Sequence, residues 1–521
     1  MIDFLFIAPS NAASTYQTLS DEYAAIEPPT WALLLAESCR NKGHKVAILD
    51  CLAEQLTDHD AFARVEALAP SIVCFVVYGQ NVNAGTTNMA GATRLSKYLK
   101  ANGLSVPIGY IGSHVQALPK ETLEFEDSID FIFLNEGIYS LHEIFDKQAF
   151  DLKKLPNVNG LAVKSEGEIV FTGAPRLVAQ ENIDEVMSGY AWDLLPFRNK
   201  PLDLYRSPYW HAQYKSQLRS PYAAIQTSVG CRFKCGFCMI NLINKNDMAT
   251  VSEASNYSGM RHWSTEFVLR EMTRLIGMGV KTIRITDEMF LLNKKYYLPI
   301  IEMLVDLNIK DDLYLWAYSR IDTVPSPAIL YKIRAAGFRW LCLGIESGNK
   351  SIRLEVSKGK FEDVDVETVV RQVEAAGIHV MANYIYGLPG ETEQTIEETY
   401  QLSVKLNTLG WNTYAAMALP GSPIYTQARN RGEKLPESYE QFSFHSYETI
   451  PLSTEVLDAA RILELRDTKF TEYFSRPELH EKIIENFGEE ASTNIKEMNK
   501  HKLNRRIIDE RDIIVRSTHI F

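Results

Sequence analysis

The run Gly230-Cys-Arg-Phe-Lys-Cys-Gly-Phe-Cys-Met239 puts Cys231, Cys235 and Cys238 on one short loop, separated by three and then two residues. A cubane iron–sulfur cluster normally takes four thiolates. Three leave one iron open to something other than protein, and chemistry can start there. Structural zinc wants four protein ligands, usually as two pairs. No second pair exists: Cys342 is the one cysteine C-terminal to the trio, and it lies between Leu341 and Leu343 in an apolar, strand-like run. Seven cysteines, an odd number in a long chain, do not suit a disulfide framework. The loop reads as the grip of a four-iron centre with a vacant corner.

Working outward, residues 221 to about 425 alternate apolar runs with amphipathic stretches. Strands are predicted at 223–227, 282–285, 313–317, 341–345, 380–385 and 413–417, with helices such as 265–278 and 366–376 between them. Six such units predict an open partial barrel that collects ligands at the C-terminal ends of its strands. Residues 1 to about 150 show the same alternation, with strands at 4–8, 46–49, 72–77, 108–111 and 131–134. Helices are expected at 30–42, with Gly43 at its C-terminal end, and at 90–101. This predicts a Rossmann-like parallel sheet with its own ligand site at the strand ends. Residues 151–220 read as a connector rich in Tyr, Trp and Pro, either lining a site or packing on the barrel. Residues 426–521, rich in Glu, Lys, Arg and Leu, read as a helical domain. The fold class is α/β.

Composition excludes some functions. With 46% hydrophobic residues in 521, the chain can build two or three cores. No run of about twenty apolar residues is present, so no membrane span is expected. The start of the chain lacks a basic leader and reads as a strand. A net charge of −12 gives no general attraction to a phosphate backbone, which argues against nucleic acid as a partner. Reduced cysteines and an oxygen-sensitive cluster point to the cytoplasm.

The cysteine loop resembles that of the radical S-adenosylmethionine (SAM) enzymes, Cys-x3-Cys-x-aromatic-Cys, with Phe237 in the aromatic slot. The resemblance implies a [4Fe-4S] cluster on Cys231, Cys235 and Cys238, SAM chelated to the open iron, and its cleavage to a 5′-deoxyadenosyl radical. It also implies SAM contacts at successive strand ends. Thr286-Asp287-Glu288 would meet the ammonium group, with Asp287 or Glu288 as acceptor. Arg320 suits a carboxylate, of SAM or of a substrate. Glu346 and Ser347, in Gly344-Ile-Glu-Ser-Gly348, suit ribose hydroxyls. Gly387 and Pro389, in Gly387-Leu-Pro-Gly-Glu-Thr392, suit a flat base.

The first domain resembles the cobalamin-binding domain that precedes many radical SAM modules. The likeness rests on Glu27-Pro28-Pro29, Gly43-His44-Lys45-Val46, Ile111-Gly112-Ser113-His114 and Asn135-Glu136-Gly137. It implies cobalamin contacts at Ser10, at Tyr78, Gly79, Gln80 and Asn81, at Gly112, Ser113 and His114, and at Glu136 and Gly137. The Asp-x-His-x-x-Gly signature of a histidine-ligated cobalamin is absent, so a base-off cobalamin near residues 79–83 is expected. Together these likenesses imply a cobalamin-dependent methyltransferase acting on an unactivated carbon of a small metabolite, fed by an electron donor such as flavodoxin or ferredoxin. The alternatives are a cyclase or ring-rearranging enzyme with the same cofactors, a methylthiotransferase, or a cofactor sensor without catalysis. A methylthiotransferase would need three further convergent cysteines, and Cys39, Cys51 and Cys74 are predicted on separate elements.

Overall fold

Strand β1 (Ile2–Ala8) buries Phe4, Leu5, Phe6 and Ile7 in succession, so it has no solvent face. That is the signature of a strand inside a parallel sheet covered on both sides. It pairs with β2 (Val46–Asp50) and β3 (Pro70–Val76), and the sheet continues through β4 (Ile108–Ile111) and β5 (Phe131–Phe133), all parallel. The computed structural model describes residues 2–79, 84–307, 313–356 and 364–511. The helix Thr30–Asn41 ends where predicted, and Gly43 just beyond it takes a left-handed φ of 91°.

Two antiparallel strands, β6 (Leu161–Ser165) and β7 (Glu168–Phe171), complete the order β2-β1-β3-β4-β5-β6-β7. They lie in the segment read from sequence as connector. Their turn is Glu166-Gly167, both at positive φ, and Glu-Gly is a weaker hairpin signal than Asn-Gly or Asp-Gly.

The second sheet begins at β8 (Tyr222–Ile225). A hairpin of β9 (Ser228–Cys231) and β10 (Gly259–His262) then leaves it and carries the cysteine loop. The sheet resumes with β11 (Thr282–Ile285), β12 (Tyr314–Arg320), β13 (Phe338–Glu346), β14 (His379–Tyr386) and β15 (Gly410–Ala415). All six are parallel, in the order β15-β14-β13-β12-β11-β8, and the edges β8 and β15 do not pair with each other. This is the open partial barrel expected. The helix Ala459–Phe474 covers the β15 edge: Arg466 Nε donates to Thr413 O at 2.8 Å, and Tyr473 stacks on Trp411 at 5.0 Å. The last two long helices are Pro477–Phe487 and Glu489–Asn499.

One buried apolar cluster runs from Phe4 in the first sheet through Trp316, Trp340 and Trp411 in the second to Leu479. The connector helps to bridge it. Trp210 meets Trp316 and Trp340 edge-on at 4.7 and 5.1 Å, and the Tyr205 hydroxyl donates to Asp50 at 3.0 Å.

Two ion pairs join the sheets. Glu136, beyond β5, holds Arg261 of β10 at 2.7 Å. Glu27, from the turn before the helix Thr30–Asn41, holds Arg284 of β11 at 2.6 Å, with side chains only 5% and 3% exposed. Removing one partner of a buried pair strands the other charge, at about 3–5 kcal/mol. Glu27→Ala is therefore expected to lower unfolding free energy by about that much in denaturant titration. The double variant Glu27→Ala/Arg284→Met should recover part of the loss. A double variant as unstable as the sum of its singles would show that the pair itself is not the linkage.

Candidate active site

The cysteine loop is braced by main chain. Gly230 sits at φ 84°, where a Cβ would come within 2.3 Å of Gly259 O. Only glycine lets the hairpin close there. The Cys231 N–H donates to Asn241 Oδ1 at 2.9 Å, and Asn241 Nδ2 donates to Phe233 O at 3.2 Å. The Gly236 N–H donates to Val356 O at 2.9 Å, while Gly236 O accepts from Ile424 N at 3.0 Å. The three thiols line one cavity of ≈ 200 Å³, shared with Phe237, Glu288, Arg320 and Glu346. Burial pushes Cys231 up to about 11 and Cys235 to about 12, and raises Cys238 well above the ordinary range. The thiols stay protonated until an electropositive group displaces the protons.

Of the acidic pair after β11, the structure puts Glu288 in this cavity. Asp287 is engaged elsewhere: it accepts from Thr227 N, Thr227 Oγ1 and Ser228 Oγ, each at 2.6 Å, and so ties β8 to β9. Arg320 is held by Asp322 at 2.6 and 2.5 Å and lies 3.6 Å above the Phe233 ring. Glu346 reaches the cavity by a bulge between β13 and β14, with its backbone at φ 65°. That left-handed strain in a non-glycine residue marks a position whose side-chain direction matters. Burial outweighs the pull of Arg320 and, helped by the charge of Glu288, raises its carboxyl to about 7.

Other expected SAM residues lie apart. Ser347 is fully buried behind the cavity, with Thr399 Oγ1 at 3.1 Å. Gly387 and Pro389 line a different cavity, of ≈ 840 Å³, beside Ile424 and Ile450. Residues that sequence reading missed are Tyr318, Asn383, Tyr414 and Met417, which all line the thiol cavity. Period-two alternation back from Arg320 finds Tyr318; no comparable signal marks the others.

A second cavity, ≈ 170 Å³, lies between the C-terminal ends of the two sheets. Ala8, Asp50, Val76, Tyr78 and Gly79 face it from the first, and Gln226, Ser228, Asp287 and Glu288 from the second. Of the expected cobalamin contacts, Tyr78 and Gly79 are on its wall, and Gln80 and Asn81 fall outside the described residues. The rest pack elsewhere. Ser10 presses its carbonyl against Gly91, where a Cβ would come within 2.4 Å. Gly112 lies against the Val77 backbone, and Ser113 is buried under Gly85. His114 meets Thr86 at 3.3 Å, and burial lowers it to about 4, so its ring is neutral. Glu136 holds Arg261 and accepts from Val178 N at 2.6 Å. The Gly137 N–H donates to Asn135 Oδ1 at 3.1 Å.

A third cavity, ≈ 690 Å³, fills the open side of the barrel. The three adjoin. Glu288 and Ile240 line both the first and the second. Tyr318, Tyr414 and Phe444 line both the first and the third. Tyr16, Ala25, Glu27 and Thr87 line both the second and the third.

Comparison with known proteins agrees with this geometry. The signature of the radical SAM superfamily matches residues 225–403, and that of the B12-binding domain matches residues 16–145. The chain is 28% identical over 408 residues to an uncharacterized methyltransferase of Pyrococcus horikoshii, covering 77% of this chain and 78% of that protein. It is 23% identical to the anaerobic magnesium-protoporphyrin IX monomethyl ester cyclase of Rubrivivax gelatinosus, covering 90% and 77%. Its fold is that of the radical SAM methyltransferase TsrM from Kitasatospora setae with tryptophan and aza-SAM bound, at a TM-score of 0.62, 15% identity and coverage of 96% and 99%. TsrM has also been solved with cobalamin and a [4Fe-4S] cluster bound, matching at a TM-score of 0.58, 16% identity and coverage of 84% and 80%.

The residues present fit both groups. Three thiols on a braced loop are the donor set of a cubane with one open iron. Among the described residues no three His, Cys, Asp or Glu side chains close on a single ion. The second cavity holds two buried polar atoms without hydrogen-bond partners among the described residues, Trp31 Nε1 and Gln226 Oε1. A donor and an acceptor together suit the primary amides on the rim of a corrin.

Glu391 shapes the turn after β14 by accepting from Gly387 N at 2.7 Å and Leu388 N at 3.1 Å, and burial raises it from 4.5 to about 7. The folded state therefore holds an extra proton between those values. This contribution, on the order of 3 kcal/mol, is complete below the unfolded pKa and is lost as pH rises through about 7. Glu391→Gln is expected to flatten the fall in melting temperature of the metal-free protein between about pH 5 and 8. An unaltered profile would exclude Glu391 as its source.

Proposed function

Because the chain belongs to the radical SAM superfamily and carries a B12-binding domain ahead of its barrel, we propose that it is a cobalamin-dependent C-methyltransferase acting on an unactivated carbon of a small molecule. The observation that carries this reading is the meeting of three cavities: one lined by thiols, one between the two sheets, and one large enough for a substrate. When bound, the cluster with SAM supplies a carbon radical able to take a hydrogen atom, and cobalamin supplies a methyl carrier.

In this reading Cys231, Cys235 and Cys238 hold the cluster. Glu288 and Arg320 offer opposite charges to the ammonium and carboxylate of SAM. Glu346, a carboxyl poised near neutrality, faces the ribose hydroxyls. Tyr78, Gly79, Trp31 and Gln226 hold the cobalamin. Tyr318, Tyr414 and Phe444 form the wall between the thiol cavity and the large one, where they orient the substrate and exclude water. The reductant is a low-potential protein such as a flavodoxin or ferredoxin, and the setting is the cytoplasm, consistent with seven free thiols. Among the described residues no helix is long and apolar enough to cross a membrane.

The test is anaerobic incubation of reconstituted protein with SAM and a reductant, scored for 5′-deoxyadenosine. Cys235→Ala is expected to abolish its formation, and undiminished formation in that variant overturns the cluster assignment. With a substrate in hand, a product heavier by one CH2 supports methyl transfer. A product lighter by two hydrogens, with no methyl gained, supports ring closure, the chemistry named for the Rubrivivax relative.

A further inference from the structure

The ≈ 690 Å³ cavity has two features that the proposed reaction does not require. Its wall is built of flat rings: Trp316 and Tyr318 of β12, Tyr414 of β15, and Tyr16, Phe444 and Phe470 from the segments that close the open side. The closure is held by contacts between distant parts of the chain. Tyr16 stacks on His445 at 5.5 Å, and Gln17 Nε2 donates to His445 O at 2.8 Å.

Its charge is also unbalanced. Arg284 is neutralised by Glu27, and Glu472 is met by Lys469 at 3.0 Å. Arg466 and Arg505, both buried, share the single carboxylate of Asp467 at 2.8 and 2.9 Å. Arg466 Nε donates to Thr413 O and Nη1 to Asp467, while Nη2 makes no hydrogen bond among the described residues. His445, on the same wall, is driven down to about 3 by burial and by these two guanidiniums, so it is neutral and feels their field. Two cations against one anion stand out at a cavity in a chain of net charge −12.

Building on the proposed function, we propose that this cavity is the substrate site, that it takes a flat aromatic or conjugated molecule bearing an anionic group, and that Arg466 is the partner of that anion. Rings stack on the aromatic wall. A carboxylate or phosphate takes the remaining guanidinium hydrogens in a charge-assisted bond.

The test is equilibrium binding of 2-naphthoate and of its neutral isostere 2-naphthamide to the reconstituted holoenzyme, by calorimetry. The carboxylate is expected to bind at least about tenfold more tightly than the amide. Arg466→Gln should bring the two within about twofold and leave the amide unchanged, with Arg466→Lys keeping part of the preference. Equal binding by the native protein, or a preference that survives Arg466→Gln, overturns the proposal. Should Arg466→Gln not fold, Thr468→Glu decides, since Thr468 is an exposed helix position on the cavity rim. That variant must weaken naphthoate alone, and unchanged naphthoate binding overturns the proposal. The readout needs no turnover. A chain that forms no 5′-deoxyadenosine still reports its preference for the anion, so this proposal and the proposed function fail separately.

Discussion

A carboxylate and a guanidinium taken out of water cannot part without leaving a bare charge behind. In this molecule Glu27 belongs to the first sheet's domain and Arg284 to the second sheet, so the pair fixes the domains as one body. The Arg284 guanidinium also lies 4.7 Å from the Trp316 ring and donates to the Tyr318 hydroxyl at 3.3 Å. A line of contacts thus runs from the cavity between the sheets, past the large cavity, to the wall of the thiol cavity. With that line broken, neither sheet has a reason to present its strand ends to the other. The second pair, Glu136 with Arg261, ties the cysteine hairpin to the first domain and keeps the loop from swinging away.

Much of the architecture was legible because parallel strands buried on both faces announce themselves as unbroken apolar runs. Strands β1 to β5 and β11 to β14 lie within a few residues of their expected places for that reason. The β6–β7 hairpin was not legible, since Val170 and Glu168 leave it half-wet and its turn is weakly marked. Strand β15 begins three residues earlier than expected. Its opening residues Gly410 and Trp411 are buried by a helix some fifty positions later, and such burial leaves no local trace.

The site was legible in kind and less so in membership. The three thiols, Phe237, Glu288, Arg320 and Glu346 share one cavity as expected, because motif residues at the ends of parallel strands converge by topology. Ser347, His114 and Glu136 were chosen for their chemistry, yet each finds a buried partner inside the protein. A single sequence does not distinguish a polar side chain facing a ligand from one facing Thr399 or Arg261, since that depends on contacts 52 and 125 residues away. The same holds for Trp31 and Gln226, whose unmet polar atoms become visible only once the two sheets are set face to face.

The bracing of the cysteine loop has a bearing on how the protein matures. Gly236, at its centre, is clamped on one side through Val356 and on the other through Ile424, and Asn241 grips both Cys231 and Phe233. None of these bonds involves a metal. Small zinc domains collapse into shape around their ion, whereas here the berth is ready-made and any inorganic cargo arrives after the polypeptide has finished folding. Delivery and repair of that cargo can then proceed without unravelling the chain.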